Sequence, residues 1–277
     1  VAVLMGGWSA EREVSLATGE ACADALRRAG FQVTPVDVKR NIAEVLAELR
    51  PDVAFNALHG KWGEDGCCAA ILETLQIPYT HSGVLASSLA MHKEKSKAIF
   101  RAAGIPLADS KLVDIDTVAT SHPMPPPYVV KPVAEGSSVG VHIVLSSSNG
   151  PASMILEQRE IFGEEAMVER FIPGKELTCA VMGDKALGVI EIESTTRFYD
   201  YESKYAPGGS RHILPARILL NVYQLAQKLA LKAHHALGCR GISRADFRFD
   251  NRPDGSGDLI CLEVNTQPGM TETSLVP

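Results

Sequence analysis

Along the first eighty residues, short apolar runs alternate with stretches whose apolar positions recur every three or four residues. VAVLM at 1–5, FQVTPVDV at 31–38, PDVAFNAL at 51–58 and IPYT at 77–80 read as strands, bounded by glycine, proline and aspartate. Between them the helical period predicts helices over about 11–29, stopped by Gly30, then over 42–49 and over 66–75. Strand and helix in alternation predict a parallel sheet with helices on its faces. Ligands of such sheets sit beyond the carboxyl ends of the strands. The segments there read GGWSAERE, NALHGKWGEDG and YTHSG, polar and rich in glycine, so this unit is expected to hold a small molecule.

From about residue 85 the pattern changes. A helix carries MHKEKSKAIFRAAG, a strand follows at 108–113, and proline-rich SHPMPPP leads into PYVVKPVAEGSSVGVHIVL, two β-rich runs joined by a Gly-Ser loop. This second unit is expected to be smaller and antiparallel. From about residue 168 the chain mixes strands (LTCAVMG, ALGVIEI) with one long helix over about 218–237, ended by Gly238. The fold class is therefore α/β, α+β overall, with expected domains at 1–84, 85–167 and 168–277.

The sharpest chemistry lies near the end. In GISRADFRFD (241–250) Arg244, Asp246, Arg248 and Asp250 share one face of a strand, with Ala245, Phe247 and Phe249 on the other. NRPDGSGD is turn chemistry, and CLEVN places Glu263 and Asn265 on one face of a second strand. Pairing the two as an antiparallel hairpin brings Asp246 opposite Glu263. Two carboxylates and an amide oxygen beside Arg244 make a poor core and a good magnesium site under a phosphate chain. A strand emerging into solvent is the bland reading of Glu263 and Asn265 alone.

Composition narrows the partners. The 277 residues are 45% hydrophobic with a formal net charge of −6, which argues against nucleic acid or an acidic membrane as the main partner. The six cysteines, at 22, 67, 68, 179, 239 and 261, show no C-x-x-C and sit mostly in apolar runs, as small buried hydrophobes of a reducing compartment. No apolar run reaches the length of a membrane span and no leader pattern opens the chain, so a cytoplasmic protein is expected. The chain starts on Val1 and stops at LVP, which suggests trimmed ends.

Other motifs are ambiguous alone. EGSSVG (135–140) lies between two strands, unlike a P-loop or dinucleotide fingerprint; it reads either as a hairpin turn or as a loop closing on phosphates within reach of Lys131. GGWSAEREVS opens a helix, a position suited to anions. Glu11 there either compensates the helix dipole or binds a substrate ammonium. Asp37, at the end of the second strand, invites a nicotinamide reading that the glycine spacing does not support. His59 stands in a glycine-flanked loop, whereas His234 and His235 fall on the long helix and read as structural or solvated.

Taken in order, GGWSAEREVSL, HGKWGEDG, YTHSGVLASSLAMHKEKSK, VVKPVAEGSSVGV, FYDYESKYAPGGSRH, GISRADF and LEVNTQPGMTETSLVP resemble the D-alanine-D-alanine ligases of the ATP-grasp superfamily, from Val1 to Pro277. The resemblance implies a Rossmann-like N-terminal domain and two ATP-grasp subdomains, with ATP between the latter. It implies Lys93, Lys131 and the Ser137-Ser138 loop as phosphate contacts, and Lys204 as a contact to the transferred phosphate. Glu169 and Glu176 are implied as adenine and ribose contacts, with Arg170, Ile172 and Phe198 in the same nucleotide set. Asp246, Glu263 and Asn265 are implied as ligands of two magnesium ions, replaceable by manganese. Glu11 is implied as the anchor of the first D-alanine, with His59 nearby. Ser274 and the Leu275 backbone would take the carboxylate of the second, and Arg244 with the Gly269 N–H the oxyanion.

The implied reaction makes an acyl phosphate from ATP and one D-alanine, which the amine of the second converts to D-alanyl-D-alanine for bacterial peptidoglycan precursors. An acyl phosphate demands exclusion of water, and the implied lid is FYDYESKYAPGG, with Tyr205 meeting Ser137 and Glu11. A homodimer is implied. Departures are Arg170, where many members carry lysine, and Trp8 and Trp62 in loops usually built of smaller residues. The alternatives are a ligase joining D-alanine to D-serine or D-lactate, an NAD-dependent oxidoreductase, and a non-catalytic nucleotide-binding module.

Overall fold

A computed structural model of the chain describes residues 1–136, 139–145, 152–194, 210–254, 256–271 and 274–276. The first unit is a parallel sheet in the order β2-β1-β3, built from β1 (Ala2–Gly6), β2 (Thr34–Val38) and β3 (Ala54–Asn56). Helices α1 (Arg12–Arg28), α2 (Ile42–Leu49) and α3 (Cys67–Thr74) connect and cover it. Every residue of β1 is buried, and α1 lies so close that a Cβ at Gly19 would stand 2.4 Å from Met5 Cβ. The strand order reverses at β1, so the crevice between the carboxyl ends of β1 and β3 is the switch point where ligands of such sheets bind.

Next come α4 (Val84–Met91) and α5 (Lys93–Ala102), where one continuous helical run was expected. The break is local chemistry. His92 is extended, its Nδ1 accepts the Lys95 N–H at 3.4 Å, and the Lys93 N–H is drawn to the Val133 carbonyl at 2.9 Å instead of continuing the helix. As a result Lys93 and Lys97, one turn apart, both point inward.

A four-stranded antiparallel sheet, β4-β7-β5-β6, follows: β4 (Ser110–Asp114), β5 (Tyr128–Pro132), β6 (His142–Val144) and β7 (Glu165–Arg170). Helices α6 (Ile115–Thr120) and α7 (Arg159–Phe162) close one side of it around Tyr128, Val130, Ile115 and Ile155. Strand β7 crosses the expected join at 167/168 and pairs with β4 and β5 along its length.

The last sheet has the order β10-β9-β8-β11-β12: β8 (Lys175–Met182), β9 (Lys185–Ser194), β10 (Ser210–Ile213), β11 (Ile242–Phe249) and β12 (Leu259–Asn265). Its apolar face, with Leu177, Cys179, Val189, Ala245, Phe247 and Phe249, packs on α8 (Leu220–Leu237), which contributes Val222, Ala226, Leu229 and Ala233. Gly238, left-handed at φ 70°, ends α8 as expected. The two antiparallel sheets meet at a small apolar cluster of Ala108, Ile172 and Ile260. Of the cysteines, 22, 68, 179 and 261 are buried, whereas Cys67, at the first position of α3, is exposed, contrary to the expectation of burial. Among the described residues no helix is long and apolar enough to cross a membrane.

Candidate functional site

A cavity of about 490 Å³ is lined by the five-stranded sheet, by helices α1, α4 and α5 and by loops of the first two units. Glu11 and His59 enter from the loops at the switch point, Glu135 and Gly136 from the loop after β5, and Glu176, Arg244, Asp246, Glu263 and Asn265 from the polar face of the five-stranded sheet. Lys93, Gly269, Ser274 and Leu275, also named from the sequence, line it as well. Glu11 is buried at 7% exposure, and its Oε2 is closely approached by two glycines: a Cβ at Gly60 would lie 2.7 Å from it and one at Gly136 3.4 Å. Gly60, at φ 69°, thus meets both a backbone and a space requirement. His59 is fixed from both sides, by Thr18 Oγ1 at Nε2 and Glu64 Oε1 at Nδ1, each at 3.0 Å. Burial holds the Glu135 carboxyl above its usual range, with Glu11 adding to the effect against Lys61 and Lys93.

The hairpin forms in the foreseen register, with Asp246 opposite Glu263 and Arg244 opposite Asn265. Arg244 donates from Nε and Nη2 to the two Asp246 oxygens, at 2.9 and 2.8 Å, and Thr178 adds a hydroxyl to Oδ1 at 2.6 Å. Glu263 lies 3.6 Å from Lys93 Nζ, and Asn265 Oδ1 accepts the Gln267 N–H at 2.7 Å. Asp246, Glu263 and Asn265 offer oxygen alone from adjacent strands, a donor set that suits a hard divalent cation. Clusters of three or more His, Cys, Asp or Glu shaped for a metal are absent among the described residues.

Lys131 and Glu169 do not line this cavity. With them stands Lys97, from α5, which was not among the residues named from the sequence. Lys131 reaches Glu169 Oε2 at 2.5 Å, and Lys97 donates to Glu169 Oε1 and, at 3.2 Å, to the Ala108 carbonyl. Burial works against the charge of Glu169, but the two ammonium groups outweigh it and hold its pKa below the usual range. For Lys131, burial is likewise outweighed, by Glu169, and its pKa is raised; for Lys97 burial prevails and lowers it. Arg170 is exposed, and Ile172 is buried with its carbonyl bonded to Arg248 Nε at 3.1 Å.

Also unforeseen are two residues that tie the first sheet to the β11–β12 hairpin. Asn56 Nδ2 donates to Gln267 Oε1 at 2.7 Å, and Gln267 Nε2 donates to the Leu58 carbonyl, one residue before His59. Thr271 donates its N–H to Ser274 Oγ at 2.9 Å, and the two hydroxyls share a second bond of 2.9 Å. Asp37 is engaged by Arg12 through two bonds of 2.8 Å, which accounts for it without a nucleotide ribose. Trp8 and Trp62 pack with ring centroids 5.8 Å apart and planes tilted by 41°, lining a separate 240 Å³ cavity. Ser137, Ser138, Phe198, Lys204 and Tyr205, and with them the expected lid, lie outside the described residues.

This arrangement has known counterparts. A family model described as the D-ala D-ala ligase C-terminus matches residues 99–277. The D-alanine–D-alanine ligase of Xanthobacter autotrophicus is 65% identical over 278 residues, covering 100% of this chain and 90% of that protein. The crystal structure of the Bacillus anthracis D-alanine–D-alanine ligase is 32% identical and superposes with a TM-score of 0.81 over 100% of this chain and 89% of the other. Its complex with ATP is also similar, at 30% identity and a TM-score of 0.79 over the same shares. The likeness therefore spans every element that walls the cavity, from β1 to the Ser274 turn, and the chain belongs to the D-alanine–D-alanine ligase family of ATP-grasp enzymes.

Proposed function

We propose that this chain joins two D-alanine molecules into D-alanyl-D-alanine at the expense of ATP. The observation that carries the reading is the convergence in one cavity of Glu11, Arg244, Gly269 and Ser274 with the Asp246–Glu263 hairpin, in a chain whose curated relatives near 60% identity are D-alanine–D-alanine ligases. Glu11 holds the ammonium of the first D-alanine, whose carboxylate attacks the γ-phosphorus and releases ADP. The amine of the second D-alanine then attacks the acyl carbon, phosphate leaves, and the nitrogen loses a proton. Arg244 and the Gly269 N–H stabilise the oxyanion formed in that attack, and Ser274 with the Leu275 backbone holds the second carboxylate. Asp246, Glu263 and Asn265 would hold magnesium, two ions with manganese as substitute, which supplies charge neutralisation at the phosphates. The product serves peptidoglycan precursor synthesis, and the protein acts in the cytoplasm as a homodimer.

Incubation with ATP, magnesium and D-alanine, followed by product analysis, tests the reading. It expects dipeptide and phosphate in equal amounts; phosphate release without dipeptide, or independent of D-alanine, refutes it. Glu263→Gln keeps shape and weakens a metal ligand, so turnover is expected to be nearly abolished. Near-wild-type turnover at limiting magnesium would remove Glu263 from that role.

A further inference from the structure

Lys97 is fully buried, Glu169 is 2% exposed and Lys131 7%. The last two stand on one face of neighbouring strands, since Glu169 is registered with Val129 and Lys131 follows two residues along. Lys97 comes from a different layer, α5, and takes the carboxylate oxygen that Lys131 does not. Two ammonium groups and one carboxylate leave the cluster one positive charge in surplus. A surplus buried charge is unfavourable unless an anion answers it. Without Lys97 the same carboxylate would neutralise Lys131 completely.

We propose that Lys97 is a positioning residue for ATP: by occupying one oxygen of Glu169 it keeps that carboxylate from cancelling Lys131, so that the Lys131 ammonium remains available to the phosphates of the nucleotide. This rests on the reading of Lys131 as a phosphate contact. The same helix face repeats the device one turn earlier, where Lys93 stands by Glu263. α5 thus places an ammonium beside a carboxylate of each antiparallel sheet, Glu169 on β7 and Glu263 on β12.

The test is a double-mutant cycle in the full chain, read as the KM for ATP and the dissociation constant of a non-hydrolysable ATP analogue with magnesium. Lys97→Met is expected to raise both about tenfold in the Glu169 background, as befits loss of one charge near phosphates, while kcat changes less. In a Glu169→Gln background, where Glu169 no longer carries a charge to cancel Lys131, the same substitution is expected to change them less than about threefold. A purely structural Lys97 would show this coupling in the thermal midpoint and leave the nucleotide constants unmoved. Equal effects in both backgrounds, or unchanged nucleotide constants in folded Lys97→Met, overturn the proposal. Lys97→Gln keeps a donor for the Ala108 carbonyl and carries the same comparison if the methionine variant does not fold. Lys131→Met separates the two readings: if it leaves the nucleotide constants unchanged, the phosphate role of Lys131 fails, whereas a large rise beside a silent Lys97→Met fails the present inference alone.

Discussion

Gln267 is 4% exposed and spans two sheets, accepting from Asn56 Nδ2 and donating to the Leu58 carbonyl. Gln267→Met keeps the length of the side chain and removes both bonds. Asn56 Nδ2 retains the Gly63 carbonyl at 3.2 Å, so its loss falls at the low end of the range, whereas the Leu58 carbonyl loses the side-chain donor. Leaving a buried polar group short of a partner costs about 1–3 kcal/mol, which places the variant about 2–4 kcal/mol below the wild type. For a chain of this size that corresponds to a fall in the thermal midpoint of about 4–8 °C. Urea unfolding and a thermal scan measure it. Gln267→Glu sharpens the comparison, because it preserves the acceptor for Asn56 and sets a carboxylate oxygen against the Leu58 carbonyl; it is expected to be the worse variant at neutral pH. A functional readout accompanies the loss: the Leu58 carbonyl adjoins His59, and Gln267 N–H bonds Asn265, so the KM for D-alanine is expected to rise as well. A thermal midpoint within about 1 °C of wild type for Gln267→Met would refute the reasoning.

Two further predictions concern pH. Burial opposes the charge of Glu191, but bonds from Arg217 and Lys175 bring its pKa from 4.5 down to about 2. The carboxylate therefore stabilises the fold above about pH 4.5 and loses that contribution as pH falls toward 2; with Arg217 half exposed, it is worth about 2 kcal/mol at neutral pH. Urea midpoints of Glu191→Gln and wild type are expected to differ at pH 7 and to draw together as pH falls from 4.5 toward 2, and a pH-independent gap would refute this. His81 behaves in the opposite sense, since burial, helped by His59, lowers its pKa from 6.5 to about 4. The unfolded chain takes up that proton first, so His81 withdraws stability as pH drops from 6.5 to 4. Its Nδ1 has no partner among the described residues and its φ is 72°, a conformation asparagine tolerates. His81→Asn is expected to gain on the wild type progressively below pH 6.5 in the same urea assay; a constant difference from pH 7 to 4.5 would count against the assignment.

What the sequence made legible was whatever local periodicity encodes. The alternation of GISRADFRF and the turn residues after it are short-range signals, and they specify the register that sets Asp246 against Glu263. The long helix and its Gly238 stop are of the same kind. What stayed hidden depends on partners remote in the chain. Gln267 looks like an ordinary polar turn residue until β3 brings Asn56, 211 residues away, to its amide. Lys97 reads as surface because lysine in a charged run usually is; the break at His92, itself caused by the Val133 carbonyl, turns that face of the helix inward. Lys131 was named for its place before the Gly-Ser loop and Glu169 by resemblance, but their mutual pairing required the strand register of β5 and β7.

Because the lining of the 490 Å³ cavity comes from the switch-point loops of the first unit, the loop after β5 and the polar face of the five-stranded sheet, the cavity is also the seam along which the three units are joined. A ligand held there touches all of them, and its binding energy acts as adhesive between layers. At a hundredfold excess over its dissociation constant a ligand adds about 2.7 kcal/mol to the stability of the state that binds it. Saturating ligand is therefore expected to raise the thermal midpoint and to slow proteolysis of the chain, which would tie the lifetime of the catalyst, as well as its rate, to the supply of substrate.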